Sequence, residues 1–142
     1  MRILSRFAAL SGRERLFLLH VLVCLLESIV IVRLLPYRFL RHWIRTAPNP
    51  VRSSQQHVRP ERIAWAIDRV ASCIPATSCL IRALAARSLM ARYGYGVKLR
   101  IGVARSATGQ LTSHAWLERN GIVVIGGDTA PLEYSVLDFP DV

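Results

Sequence analysis

The dipeptide Asn120-Gly121 constrains the fold of this chain most, because it stands between two segments that have the pattern of β-strands. Asn-Gly is the preferred pair for a two-residue hairpin turn, in which both residues take a positive φ. Leu111–Glu118 alternates in hydrophobicity as a half-buried strand does, and Ile122–Ile125 is a short aliphatic run. The segment therefore predicts an antiparallel hairpin, which Gly126-Gly127 brings to an end.

A third strand is predicted at Val97–Ala104, and the turn at residues 106–109 connects it to Leu111–Glu118. The three strands form an antiparallel meander. In the second of them, alternation assigns Leu111, Ser113, Ala115 and Leu117 to one face and Thr112, His114, Trp116 and Glu118 to the other. His114 therefore need not lie in the hydrophobic layer.

Helices are predicted before this sheet. Pro60-Glu61 is typical of a helix start, and an apolar stripe at helical spacing follows as far as Pro75. A further helix begins near Cys79, with Thr77 or Ser78 as its N-cap, and stops at Gly94. Helices followed by an antiparallel sheet indicate an α+β fold in which the Cys79 helix packs on the sheet that carries His114.

The N-terminal part of the chain has a different character. Residues 1–60 contain ten arginines against Glu14 and Glu27, so most of the net charge of +10 lies there. Such a region attracts an anionic lipid surface, a nucleic acid or an acidic peptide, although eighteen arginines against one lysine also fit a genome biased toward arginine codons. Proline and small polar residues then predict a division into a helical region at 1–46, a linker at 47–59 and a second domain at 60–142.

Leu16–Val32 is a hydrophobic run at the lower limit of a membrane-spanning length, and Glu27 lies within it. We predict one long helix over Arg13–Leu35 that packs on the domain at 60–142 or a partner, or lies at a membrane surface. A signal peptide is disfavoured because no small-residue cleavage site follows. The expected location is the cytoplasm, with membrane association through this helix as the alternative.

Cys79 is the candidate nucleophile. In the first turn of a helix, unpaired backbone N–H groups and the helix dipole stabilise a thiolate over a thiol. The other cysteines, Cys24 and Cys73, show no metal-ligand spacing with it, and no glycine loop typical of phosphate binding occurs. We therefore expect neither a metal nor a cofactor.

His114 is the candidate base, and Asp128 is the candidate acid that orients its ring. In the predicted hairpin, Asp128 follows the strand that pairs with the strand of His114. Glu118 shares the His114 face but lies about 13 Å away along a straight strand. Glu133 is a further acidic candidate.

These residues occur in an order that resembles a known family. A cysteine at a helix start, His-Ala-Trp on a strand and an aspartate after the next strand are similar to the transglutaminase-like cysteine protease superfamily, with its papain-like core. Over roughly residues 58 to 137 the chain resembles, more narrowly, the leader peptidases of bacterial lasso-peptide biosynthesis. The likeness is carried by Ser78-Cys79-Leu80, Arg82-Ala83-Leu84, Gly94, Leu99–Val103, Ser113–Glu118 and Val123–Gly127. Some family members place the acidic residue nearer to the histidine than Asp128 lies to His114.

The resemblance implies a function. A Cys79-His114-Asp128 triad would cut the leader from a ribosomally made antibiotic precursor, and a separate cyclase would then close the lasso ring. It also implies a separate leader-binding recognition protein, and we expect no nucleic-acid partner. Two alternatives stay open, namely a transglutaminase-like acyltransferase and a non-catalytic basic adaptor for a membrane or a partner.

Overall fold

The computed structural model describes residues 10–46, 48–51, 58–75, 77–127 and 134–137. Within these ranges the chain forms helices first and an antiparallel sheet second, so the predicted α+β class is confirmed. The helices are α1 (Gly12–Leu34), α2 (Tyr37–Arg45), α3 (Pro60–Ala71) and α4 (Cys79–Arg92). The strands are β1 (Lys98–Arg105), β2 (Leu111–Arg119), β3 (Ile122–Ile125) and β4 (Ser135–Val136).

Helix α1 begins with a reciprocal cap. The side chain of Ser11 accepts from the backbone N–H of Glu14, and the Glu14 carboxylate accepts from the Ser11 N–H. The helix runs within one residue of the predicted bounds at each end. By length and composition it is apolar enough to cross a membrane, a test that a soluble core helix or a signal sequence also passes.

The described strands pair in the order β3-β2-β1-β4, antiparallel throughout. Asn120 and Gly121 both have a positive φ, of 52° and 78°, so the predicted hairpin turn between β2 and β3 is confirmed. Gly102 of β1 lies opposite His114 of β2. Strand β4 is an addition that the sequence pattern did not predict, because a two-residue strand carries no periodicity.

The burial of the side chains on the two faces of β2 differs from the prediction, most of all at Trp116. Ala115 and Leu117 are buried in the main core as expected, but Leu111 and Ser113 at the start of the strand are exposed. Trp116, on the opposite face, is also buried, since Tyr134 packs beside it at a ring-centroid distance of 6.5 Å. A residue from the far end of the chain thus covers a face that alternation alone left open.

Helices α1, α3 and α4 pack together, and α4 and α3 also contact the inner face of the sheet. Cys24 and Leu25 of α1 are fully buried in the same core as Leu89 and Met90 of α4. Burial raises the pKa of the Cys24 thiol, and the pKa of Tyr93 is raised mainly for the same reason. The predicted division of the chain into a helical region at 1–46, a linker at 47–59 and a domain at 60–142 stays a prediction.

Arg87 joins α2 to this core. Its side chain is only 2% exposed, and its guanidinium donates to the carbonyl of Ile44 at 2.9 Å and to the carbonyl of Trp43. These are carbonyls of the last turn of α2, where a cation is favoured by the helix dipole. Burial lowers the pKa of Arg87 to about 10, which leaves it charged at neutral pH.

Candidate active site

Cys79 is the first residue of α4, as the sequence predicts. Of the two predicted caps, Ser78 is the one in place, and its hydroxyl accepts from the backbone N–H of Ile81 at 3.3 Å. Thr77 instead donates to the carbonyl of Ala71 at 3.0 Å, which fixes the loop to the end of α3. The Cys79 side chain is partly exposed, so a substrate carbonyl can approach its sulfur.

His114 lies in β2, and a backbone group holds its ring. Nε2 is 2.7 Å from the carbonyl oxygen of Gly126. A carbonyl oxygen can only accept, so Nε2 carries the proton and Nδ1 is the basic nitrogen of the neutral ring. The rings of Trp116 and Tyr134 lie on the same side of the sheet, at centroid distances of 6.1 and 5.6 Å from the His114 ring.

The Gly126 carbonyl reaches His114 because of the backbone conformation at that residue. Gly126 follows β3 with a φ of 80°, which favours glycine. A Cβ placed there would lie 2.9 Å from the carbonyl oxygen of Ala115 and 3.0 Å from Cβ of Trp116. Only a glycine fits this approach without movement of β2.

Cys79 and His114 line the same cavity, which has a volume of about 200 Å³. The helix start supplies one wall and the β2-β3 hairpin supplies the other. The remaining lining residues are Asp68, Thr77, Arg82, Ala83, Ala115, Ile125 and Gly126. The cavity therefore places a thiol and an imidazole beside the N-terminus of a helix, an arrangement suited to nucleophilic attack on a carbonyl.

Asp68 and Arg82 add charge to the cavity, and sequence reasoning did not single out Asp68. Nη1 of Arg82 is 3.5 Å from Oδ1 of Asp68. Asp68 is an exposed acid of α3 with no motif around it, whereas Arg82 belongs to the segment that carries the family resemblance. No signal in the sequence shows that the two side chains meet beside Cys79, because that depends on how α3 and α4 pack.

Of the three acidic residues considered as partners of His114, only Glu118 lies within the described residues. Glu118 accepts from Nε1 of Trp116 at 2.9 Å and from Nε of Arg100 at 3.3 Å, so its carboxylate supports the tryptophan behind His114. Asp128 and Glu133 lie outside the described residues. Asp128 thus stays a prediction as the acidic member of the site.

Within the part of the chain that the structure describes, no three His, Cys, Asp or Glu side chains cluster as metal ligands would. The sulfur atoms of Cys24, Cys73 and Cys79 are all free.

Comparison with known proteins adds one finding. The family model described as the transglutaminase-like superfamily matches residues 32–138, about three quarters of the chain. No curated protein and no solved structure gives a significant match. The superfamily includes cysteine peptidases and acyltransferases, and its members are typically catalytic. The chain belongs to the transglutaminase-like superfamily.

Proposed function

We propose that this protein is a cysteine peptidase that removes the leader from a ribosomally synthesised lasso precursor peptide. The observation that carries the proposal is the shared cavity of Cys79 and His114 at the start of a capped helix, in a chain of this superfamily. The ordered resemblance to lasso leader peptidases supports the substrate class. A separate cyclase then acts on the amine that cleavage sets free.

The proposed chemistry uses the thiolate of Cys79 to attack the scissile carbonyl. Nδ1 of His114 takes the thiol proton and delivers it to the leaving amine, and water then hydrolyses the thioester. The N–H groups of Cys79 and Leu80 belong to the helix start and have no acceptor within α4, which makes them suitable donors to the oxyanion. Gly126 orients the ring through its carbonyl, and Asp128 is proposed to stabilise the imidazolium.

The remaining partners belong to the same proposal. In this proposal a separate leader-binding protein presents the precursor, as the resemblance to the lasso leader peptidases implies. We propose that cleavage of the precursor takes place in the cytoplasm, where a free thiol stays reduced.

Mass spectrometry of a lasso precursor peptide, incubated with this chain and its leader-binding protein, tests the proposal. We expect free leader and free core peptide with the wild type, and neither product with Cys79→Ala or His114→Ala. Cys73→Ala is the matched control, because this cysteine is exposed and its Sγ lies 3.6 Å from the Arg69 carbonyl, outside the cavity. It should cleave at the wild-type rate.

Other outcomes would point to the alternatives. A leader joined to an amine rather than released by water would identify an acyltransferase that uses the same pair. Undiminished cleavage by both Cys79→Ala and His114→Ala would reject catalysis by this cavity, and a basic adaptor would then explain the chain better.

A further inference from the structure

Helix α1 carries large apolar side chains on every side, yet the structure buries only one side of it. Phe17, Val21, Cys24 and Leu25 pack into the core with α3 and α4. The opposite side is formed by large aliphatic side chains that are between 36% and 74% exposed. We call it the outer face, and its members are Leu16, Leu19, Leu22, Val23, Leu26, Val30 and Leu34.

The outer face is continuous and lacks polar groups between its ends. At about 100° per residue, its seven side chains fall within an arc of about 120° along a helix about 34 Å long. Arg15 and Arg33 project within the same arc, one at each end of the helix. Glu27 lies on the flank, where its carboxylate is 3.5 Å from Nη2 of Arg92. An exposed aliphatic strip of this length needs a covering surface.

Helix α2, which follows α1 directly in the chain, is basic and aromatic. Helix α2 begins after Pro36 and exposes Tyr37, Phe39 and Trp43. Its arginines are Arg38, Arg41 and Arg45, and it contains no acidic residue. Over residues 10–46 as a whole, six arginines stand against two glutamates. Arginine together with tyrosine and tryptophan is the composition that suits the headgroup region of a bilayer.

We propose that the outer face of α1 docks this protein, parallel to the surface, on a bilayer that contains anionic lipid. The aliphatic face enters the boundary between headgroups and acyl chains, and the arginines of α1 and α2 contact the lipid phosphates. A bilayer fits better than a protein partner, because six arginines against two glutamates over residues 10–46 complement an anionic surface, and the exposed aromatic side chains of α2 suit its headgroup region.

The same packing argues for docking and against spanning. Cys24 and Leu25 are fully buried against the domain that carries the candidate active site, so α1 cannot enter the bilayer lengthwise without leaving that core. None of the outer-face residues lines the cavity of Cys79 and His114. Docking through this face therefore uses no residue of that cavity.

Flotation of the full chain with vesicles tests the proposal. We expect binding to vesicles of phosphatidylcholine with phosphatidylglycerol, weaker binding to phosphatidylcholine alone, and release as salt is raised. Replacing two outer-face residues together, Leu19→Gln and Leu26→Gln, should weaken binding at least about tenfold. The matched control is Trp65→Gln on α3, a large side chain that is 60% exposed and does not belong to this face, and its loss should change nothing.

A second measurement does not depend on how the variants fold. In Trp65→Phe, which removes an exposed tryptophan, lipids brominated near the headgroup should quench the fluorescence of Trp43, since the remaining tryptophan, Trp116, is buried. The same lipids should also lower the fluorescence of the wild-type chain. Absence of both flotation and quenching would overturn the proposal. It would also be overturned if the double variant bound vesicles like the wild type, or if it turned a dimer into a monomer without changing vesicle binding. Resistance of the bound chain to both high salt and alkaline extraction would indicate spanning and contradict docking.

Discussion

The imidazole of His114 is held by the backbone carbonyl of Gly126, with Nε2 2.7 Å from the oxygen. This bond joins β2 to the residue that ends β3 and fixes which ring nitrogen is basic. The orientation of the His114 ring therefore depends on the main-chain turn at Gly126 as well as on the proposed acidic side chain.

Replacing Gly126 with alanine should disturb that orientation. The new Cβ would meet the Ala115 carbonyl oxygen at 2.9 Å, so either β2 or the turn must move. We expect cleavage, measured as kcat/KM, to fall about 100-fold, because small displacements of reacting groups are costly. The matched control is Gly121→Ala, which has a nearly equal φ of 78° but open space around the added atom.

Both alanine variants should lose about 1 to 2 kcal/mol of unfolding free energy to the positive φ. The Gly121 variant should keep its activity in spite of that loss. Equal activity of the two variants would show that the carbonyl of Gly126 does not position His114.

Asp128→Asn separates orientation from charge. Because the Gly126 carbonyl already holds the ring, we expect this variant to lose only about tenfold in kcat, through weaker stabilisation of the imidazolium. His114→Ala should lose about 1,000-fold or more. Single-turnover cleavage of the precursor gives both values, and a loss in Asp128→Asn as large as that in His114→Ala would make the aspartate the main orienting group.

Arg87→Ala should destabilise the fold strongly. The change leaves the carbonyls of Trp43 and Ile44 without their buried donor and opens a cavity beside α4. Together these losses should lower the free energy of unfolding by about 3 kcal/mol. Urea denaturation followed by circular dichroism measures the loss. Arg92→Ala on the same helix is the comparison, since its pair with Glu27 is about half exposed and should contribute less than about 1 kcal/mol.

Stability should decline in mildly alkaline solution because of Cys24. Burial raises the pKa of this thiol above its ordinary value of 9.0. As the pH rises past that value, the thiol of the unfolded chain ionises while the buried thiol stays protonated, so the unfolded state binds fewer protons and is favoured. The free energy of unfolding falls by at most about 1.4 kcal/mol per pH unit from this one group.

Thermal unfolding of the wild type and of Cys24→Ala between about pH 8 and pH 10 measures this contribution. We expect the melting temperature of the wild type to fall more steeply than that of the variant. Burial also raises the pKa of Tyr93, which adds a decline near pH 10 in both chains, while the smaller part of that shift that comes from Cys24 is lost in the variant. Parallel curves for the two chains would contradict the assignment to Cys24.

The sequence by itself determined the features that depend on neighbouring residues. Asn120-Gly121 set the hairpin because few other residues accept a positive φ, and Ser78 set the start of α4 because its hydroxyl reaches an N–H three residues on. These local rules placed Cys79 in the first helical turn and His114 in a strand. They also fixed α1 to within a residue at each end.

Only the tertiary structure decided what surrounds these residues. Trp116 is buried because Gly102 of β1 and Tyr134, next to β4, enclose it on the face of the sheet away from the main core. Arg87 is buried because α2 ends where its guanidinium can reach two carbonyls. The Gly126 carbonyl meets His114, and Asp68 meets Arg82, through contacts between separate elements. Such contacts follow from how layers pack, and no local pattern in the chain records them.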